Sequence, residues 1–208
     1  MGSVLWDTDP LEKRLAMPSV VMLLRHAEKP IGGVPPGGVT IDGAPDPESL
    51  TPRGWQRAGA LVGLFVPDPS DGRDPKLPTP THLFASQIGG GSSSERPRET
   101  LLPLSKRLGL DVDSRFTKEE VGELVDAVRT IDSVVLVAWE HQMIPSIANM
   151  LAEDTSRVPQ IWPDQRYDLV WVFTSSGHGG GMEFREVPQM LLEGDRPTPI
   201  GTTGPEWA

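Results

Sequence analysis

Uninterrupted apolar runs, more than strict alternation, mark the strands of this chain. Val20-Val21-Met22-Leu23-Leu24 places five apolar residues in a row and ends abruptly at Arg25-His26-Ala27-Glu28. Such a run suits a strand buried on both faces, and therefore a parallel sheet with helices on each side. Val134-Val135-Leu136-Val137-Ala138-Trp139 repeats the pattern and ends at Glu140-His141. A third strand is expected at Thr81-His82-Leu83-Phe84-Ala85-Ser86. A glycine- and serine-rich loop then leads into Ser94-Glu95-Arg96-Pro97-Arg98-Glu99-Thr100, where Pro97 marks a first helical turn. Thr51 caps a helix predicted over 52–66 with Pro52 at its first position, and Ile144–Leu151 reads as a helix with Pro145 in its first turn. Thr117-Lys118-Glu119-Glu120 has the form of a capping box, with Glu120 reaching back to the Thr117 amide. Asp168–Phe173 and Met182–Val187 read as a hairpin joined by 174–181. Glycine and proline crowd 30–47 and 67–80, which are predicted loops. The first follows His26 directly and is expected to wall a cleft; the second connects a helix to a strand. The pattern predicts an α/β fold, a three-layer α/β/α sandwich with a mostly parallel central sheet and an antiparallel edge hairpin near the C-terminus.

In open α/β sheets ligands bind in the crevice outside the carboxyl ends of the strands. Two parallel strands ending in His26 and His141 bring two of the chain's four histidines to one edge of the sheet. Arg25 adjoins the first. Arg96 lies near a helix N-terminus, where backbone amides and the helix dipole already favour an anion. Phosphoryl transfer asks mainly for positioning and for compensation of charge on the equatorial oxygens, which two guanidiniums and an imidazole supply. No metal is needed for that chemistry, and the histidine spacing offers no zinc-type ligand pattern. His26 must attack as neutral imidazole; Arg25 and Arg96 should keep it so, while a bound phosphate should pull His141 the other way. The ring nitrogen that attacks is set by a hydrogen-bond partner the sequence does not reveal.

The leaving oxygen needs a proton. Glu28, Glu119 and Glu140 are the candidate acids or pocket carboxylates, whereas Glu120 is assigned to the capping box. Glu140 precedes His141, and successive strand side chains point to opposite faces. Arg53 and Arg57, on the helix capped by Thr51, are expected to be solvated helix-face residues. Arg98 lies about 200° around the helix from Arg96, so only Arg96 should face the crevice.

Taken together, these elements resemble the histidine phosphatase superfamily, also called the phosphoglycerate mutase-like family. Leu-Leu-Arg25-His26-Ala-Glu28 is similar to its Arg-His-Gly/Ala-Glu signature, Arg96-Pro-Arg-Glu-Thr100 to its Arg-x-x-Gln/Glu-Thr element, and Trp139-Glu-His141 to the region of its second histidine. Leu50-Thr51-Pro52-Arg53-Gly54-Trp55-Gln56-Arg57-Ala58 resembles its Leu-Thr-x-x-Gly-x-x-Gln-Ala helix start. The resemblance spans Val20 to about Leu151. It implies that His26 is the phosphorylated nucleophile, that Arg25, Arg96 and His141 hold the phosphoryl oxygens, and that neither metal nor cofactor is required. It implies a phosphomonoester hydrolase acting through a phosphohistidine on a small phosphorylated metabolite. The alternatives are a phosphomutase or a catalytically weak relative that binds a phospho-ligand or partner. Glu28 matches the family glutamate that frames the pocket, and Glu119 falls near the position of the mutases' acid. The Glu-Arg-His-Tyr-Gly element of those mutases is missing, which leans towards hydrolysis.

Length and composition narrow the remaining classes. The 208 residues suit one domain over 1–208, and the absence of cysteine excludes disulfides and fits a reducing compartment. No apolar stretch is long enough to span a bilayer, and Met1–Asp7 lacks a signal peptide's basic and apolar regions, so a cytoplasmic protein without a membrane partner is expected. A net charge of -10 with no basic run argues against nucleic acid. Gly177-His178-Gly179-Gly180-Gly181 is similar to the oxyanion loop of lipases, but no Gly-x-Ser-x-Gly accompanies it, so it is read as a turn. Trp55, Trp139 and Trp162 are candidates for a stacking wall or for core. The substrate and the oligomeric state stay open.

Overall fold

The structure is a computed structural model that describes residues 17–68, 70, 76–176 and 181–201. The N-terminal segment, much of the 67–80 loop and the His178 turn lie outside the described residues. The chain runs β1 (Val20–Arg25), α1 (Pro52–Phe65), β2 (His82–Ala85), α2 (Arg96–Leu108), β3 (Val112–Asp113), α3 (Val121–Arg129), β4 (Val134–Trp139), α4 (Ile144–Leu151), β5 (Leu169–Ser175) and β6 (Met182–Pro188). The strands form one mixed sheet in the order β3-β2-β4-β1-β5-β6. β1 and β4 pair in parallel from Val20↔Val134 to Arg25↔Trp139, and β2 continues the parallel part on the far side of β4. β5 runs antiparallel to β1, and β6 antiparallel to β5 at the sheet edge.

The two apolar runs form the centre of the sheet because both of their faces are covered. Met22 and Leu24 of β1, with Leu136 and Ala138 of β4, pack with Leu61 and Phe65 of α1 and Leu101 and Leu104 of α2. Val21, Leu23, Val135, Val137 and Trp139 point the other way, into a second core with Leu124, Val125 and Val128 of α3 and Ile144 and Ile147 of α4. Alternation along each strand thus divides its side chains between two cores. Trp139 and Trp162 belong to the second core, Trp162 packing 4.8 Å from Trp171, and neither forms a cleft wall.

After β1 the chain leaves on the face of α1 and α2; after β4 it leaves on the face of α3 and α4. Such a reversal opens a crevice at the carboxyl ends of the two strands. Helix α1 is seated beside it. Thr51 accepts a capping bond from the Gly54 amide at 3.1 Å and donates both its amide and its hydroxyl to the Glu28 carbonyl. The 30–47 segment is tied to the same helix by the Trp55 indole, which donates to the Val39 carbonyl at 2.8 Å.

Two local expectations need correction. Glu120 does bond the Thr117 amide, at 2.7 Å, but α3 begins only at Val121, so the pair closes a separate turn ahead of the helix. The strand β3 was not predicted: two half-buried residues carry no periodic signal. Among the described residues no helix is long and apolar enough to cross a membrane.

Gly54 gives a direct test of the helix seat. A Cβ there would meet the Glu28 carbonyl oxygen at 2.6 Å and the Glu28 amide nitrogen at 3.1 Å, both backbone atoms. Gly54→Ala gains about 1 kcal/mol of helix propensity, yet the displacement of α1 should outweigh it by roughly 1–3 kcal/mol net. A lowered urea midpoint at unchanged slope is the expected result.

Candidate active site

β1 and β4 end level, and the His26 amide donates to the Trp139 carbonyl at 3.0 Å, so the first residue past β1 is fastened to the end of its neighbour. The His26 ring is 3 % exposed, with Nδ1 2.7 Å from the Ala27 carbonyl oxygen. A carbonyl only accepts, so Nδ1 carries the proton and Nε2 keeps its lone pair. Burial, with Arg25 and then Arg96 and His141 adding like-charge repulsion, holds the ring well below the ordinary histidine range. The Ala27 amide donates to Thr100 Oγ1 at 2.8 Å, and Thr100 in turn donates to the Arg96 carbonyl, which joins this turn to the start of α2.

His141 lies two residues past β4 and is also buried. Burial and the charges of Arg25 and Lys29 lower it to about 4, against an opposing pull from Asp164. It is therefore neutral above that pH, and Nε2–H donates to Asp164 Oδ1 at 2.5 Å. The Arg25 guanidinium stacks 3.9 Å over the Tyr167 ring and donates to the Tyr167 hydroxyl at 3.2 Å and the Asp164 carbonyl at 2.5 Å. Its Nε is buried with no partner. Arg96, the first residue of α2, donates to the Ser49 and Pro47 carbonyls and to Ser94 Oγ, and pairs with Glu48 at 3.4 Å. Glu99 adds two bonds to the same loop, from Ser49 Oγ and the Leu50 amide. Arg98 faces solvent.

Arg25, His26, Arg96 and His141 thus lie near one another at the carboxyl ends of the parallel strands; Glu28 is beside Arg25, and all three candidate carboxylates have partners of their own. Glu28 is gripped by Arg57, with an Nη2 to Oε1 distance of 2.9 Å. Glu140 accepts from Ser92 Oγ at 2.8 Å and lies 3.5 Å from the Lys118 ammonium. Glu119 is half exposed, 3.7 Å from the same lysine.

Arg57 corrects the sequence reading. It is 3 % exposed and donates to Glu28, Asp195 and Gln189. Burial alone would lower this guanidinium, but the bonds to Asp195 and Glu28 outweigh it and raise it. Arg53 remains partly exposed, 3.4 Å from Glu28. Asp164 falls in the 157–166 loop expected near the crevice but carries no signal of its own, and Tyr167, just past that loop, is set apart only as the chain's single tyrosine.

Beside the histidines lies a cleft of about 780 Å³. Its lining includes Lys29–Gly32 and Val34–Pro36, in keeping with the place expected for that loop, together with Asp164, Tyr167 and Arg196. Neither histidine lines it. Glu28, Asp164 and Tyr167 border both spaces. A cleft of this size can hold a small organic group.

No protein-family model matches this chain, and no curated protein matches it. Among solved structures it is similar to one described as the putative phosphohistidine phosphatase SixA from Agrobacterium tumefaciens, at 17 % identity and a TM-score of 0.44. The match covers 82 % of this chain and 97 % of that one.

The depressed histidines make stability depend on pH. Between the ordinary value of 6.5 and about 4, the unfolded chain binds a proton at residue 141 that the folded chain refuses. Stability therefore rises with pH across that window and is lost as pH falls. At pH 5 the His141 contribution to this loss is about 2 kcal/mol. Chemical denaturation from pH 7 to pH 5 should show the decline, and His141→Gln should make it shallower.

Proposed function

We propose that this chain is a phosphomonoester hydrolase that works without a metal ion, through a phosphohistidine at His26. The observation that carries the reading is the meeting of Arg25, His26, Arg96 and His141 at the ends of β1 and β4, with the His26 Nδ1 proton tied to the Ala27 carbonyl. In this reading Nε2 of His26 attacks phosphorus in line with the departing ester oxygen, and the phosphorus–oxygen bond breaks as the nitrogen–phosphorus bond forms. Arg25, Arg96 and the His141 Nε2–H take up charge on the equatorial oxygens. Water then attacks the phosphohistidine and releases inorganic phosphate.

The entering dianion competes with Asp164 for His141 Nε2–H and releases that carboxylate at the boundary between crevice and cleft. After taking up a proton from solvent, Asp164 can give it to the leaving oxygen, and the resulting carboxylate can later accept a proton from the attacking water. Neutral His26, already below the ordinary range, is the reactive form at physiological pH without further adjustment.

Release of p-nitrophenol from p-nitrophenyl phosphate in EDTA is the expected result, with His26→Ala inactive; failure of the wild type, or full activity in the variant, overturns the reading. Arg96→Ala should lose about 100-fold or more in kcat/KM, as for a removed oxyanion contact, and solvent-facing Arg98→Ala should change it little. Asp164→Asn should slow alkyl phosphates far more than p-nitrophenyl phosphate, whose leaving group needs no proton. The commitment of Glu28, Glu119 and Glu140 to other partners favours a second reading, a phospho-ligand binder without turnover. Phosphate or vanadate binding with no hydrolysis across a broad phosphomonoester panel would select it.

A further inference from the structure

We infer that the alcohol part of the substrate carries a second anionic group, carboxylate or phosphate, which the cleft beside the histidines receives on Lys29 and Arg196. The inference rests on the phosphatase reading for the placing of the phosphoryl group in the crevice. Its own evidence is the charge pattern of the cleft. The chain as a whole carries -10, so an anionic substrate meets an unfavourable global field. The cleft is an exception because all but one of its lining carboxylates are paired with guanidiniums. Glu28 and Asp195 share Arg57 at 2.9 and 2.7 Å, Arg53 lies 3.4 Å from Glu28, and Asp168 takes Arg166 at 2.7 Å; Asp164, which accepts from neutral His141, is the one lining carboxylate without a guanidinium partner among the described residues, and Lys29 and Arg196 outnumber it.

Of the five cations that line the cleft, Arg53, Arg57 and Arg166 are paired with these carboxylates, and Lys29 and Arg196 are not. Among the described residues, the side chains of Lys29 and Arg196 have no hydrogen bond or ion pair, and both line the space. The Arg196 amide donates to Asp168 Oδ2 at 2.6 Å, which fixes its backbone at the rim while leaving the guanidinium unpaired. Lys29 stands on the crevice side, close enough to disfavour protonation of His141. An anionic group in the cleft therefore shares that space with two unpaired cations. At close range, in a partly enclosed space, they outweigh distant screened charges. The volume of about 780 Å³ admits far more than a methyl or ethyl ester, and the exposed Ile31 and Val34 give the leaving part an apolar flank.

The test compares 4-carboxyphenyl phosphate with its neutral isostere 4-carbamoylphenyl phosphate, and adds 1,4-phenylene bisphosphate to distinguish carboxylate from phosphate as the second anion. The wild type should favour the carboxylate over the amide by about tenfold in kcat/KM, mainly through KM, and the preference should shrink with added salt. In Lys29→Ala/Arg196→Ala the ratio should fall towards one. A ratio near one in the wild type, or an undiminished ratio in the double variant, overturns the inference and leaves the phosphatase reading intact. If no phosphomonoester turns over, it is the phosphatase reading that fails. Calorimetric affinities for 4-carboxyphenylphosphonate and 4-carbamoylphenylphosphonate then decide the inference by the same ratio and the same double variant.

Discussion

The parallel register of β1 and β4 is the constraint on which the rest of the crevice depends. Arg25 stands opposite Trp139, and the His26 amide closes on the Trp139 carbonyl, so the residues just past each strand emerge side by side. A slip of one residue would exchange the two cores, turning Met22 and Leu24 towards α3 and α4 and Val21 and Leu23 towards α1 and α2. The same slip would separate the histidines. Core packing and site geometry are therefore set by one hydrogen-bond ladder, and neither can be altered without the other.

Around that ladder the site is framed by buried polar groups, each of which is hazardous alone. Arg57 is tolerated inside the molecule because two carboxylates and an amide oxygen meet its planar fork. Those partners come from two places: Glu28 beside the nucleophile candidate, and Gln189 and Asp195 from the segment after β6. The arrangement anchors the segment after β6 to α1 and occupies the Glu28 carboxylate with a guanidinium.

What could be read from the sequence divides along the same line. β1, β4 and the first turns of α1, α2 and α4 were legible, because uninterrupted apolar runs and Thr51, Pro97 and Pro145 are local signals. The positions of His26, His141, Arg25 and Arg96 at strand ends and a helix start were legible because they stand beside those signals, and Arg98 facing solvent agrees with the helical register. Arg57 was misjudged since its burial is imposed by Gln189 and Asp195, more than 130 residues away, which a local helical pattern cannot register. Asp164 and Tyr167 reach the site through an irregular loop, where spacing implies no direction. The two-residue β3 and the delayed start of α3 are boundary effects decided by the sheet edge and the Thr117–Glu120 turn.

The strand order also bears on how the chain reaches this state. β1 is made first, but its sheet neighbours are β4 and β5, which begin only at residues 134 and 169. During synthesis its apolar run therefore lacks its neighbours in this sheet until β4 at 134–139 has been made, and β4 must then insert between β1 and a β2 already followed by α2. Such distant pairing carries a large loop-closure entropy and leaves an apolar edge open meanwhile. The topology that brings two histidines to one edge thus makes the nascent chain dependent on slow, late closure and exposes it to association through β1 before that closure is complete.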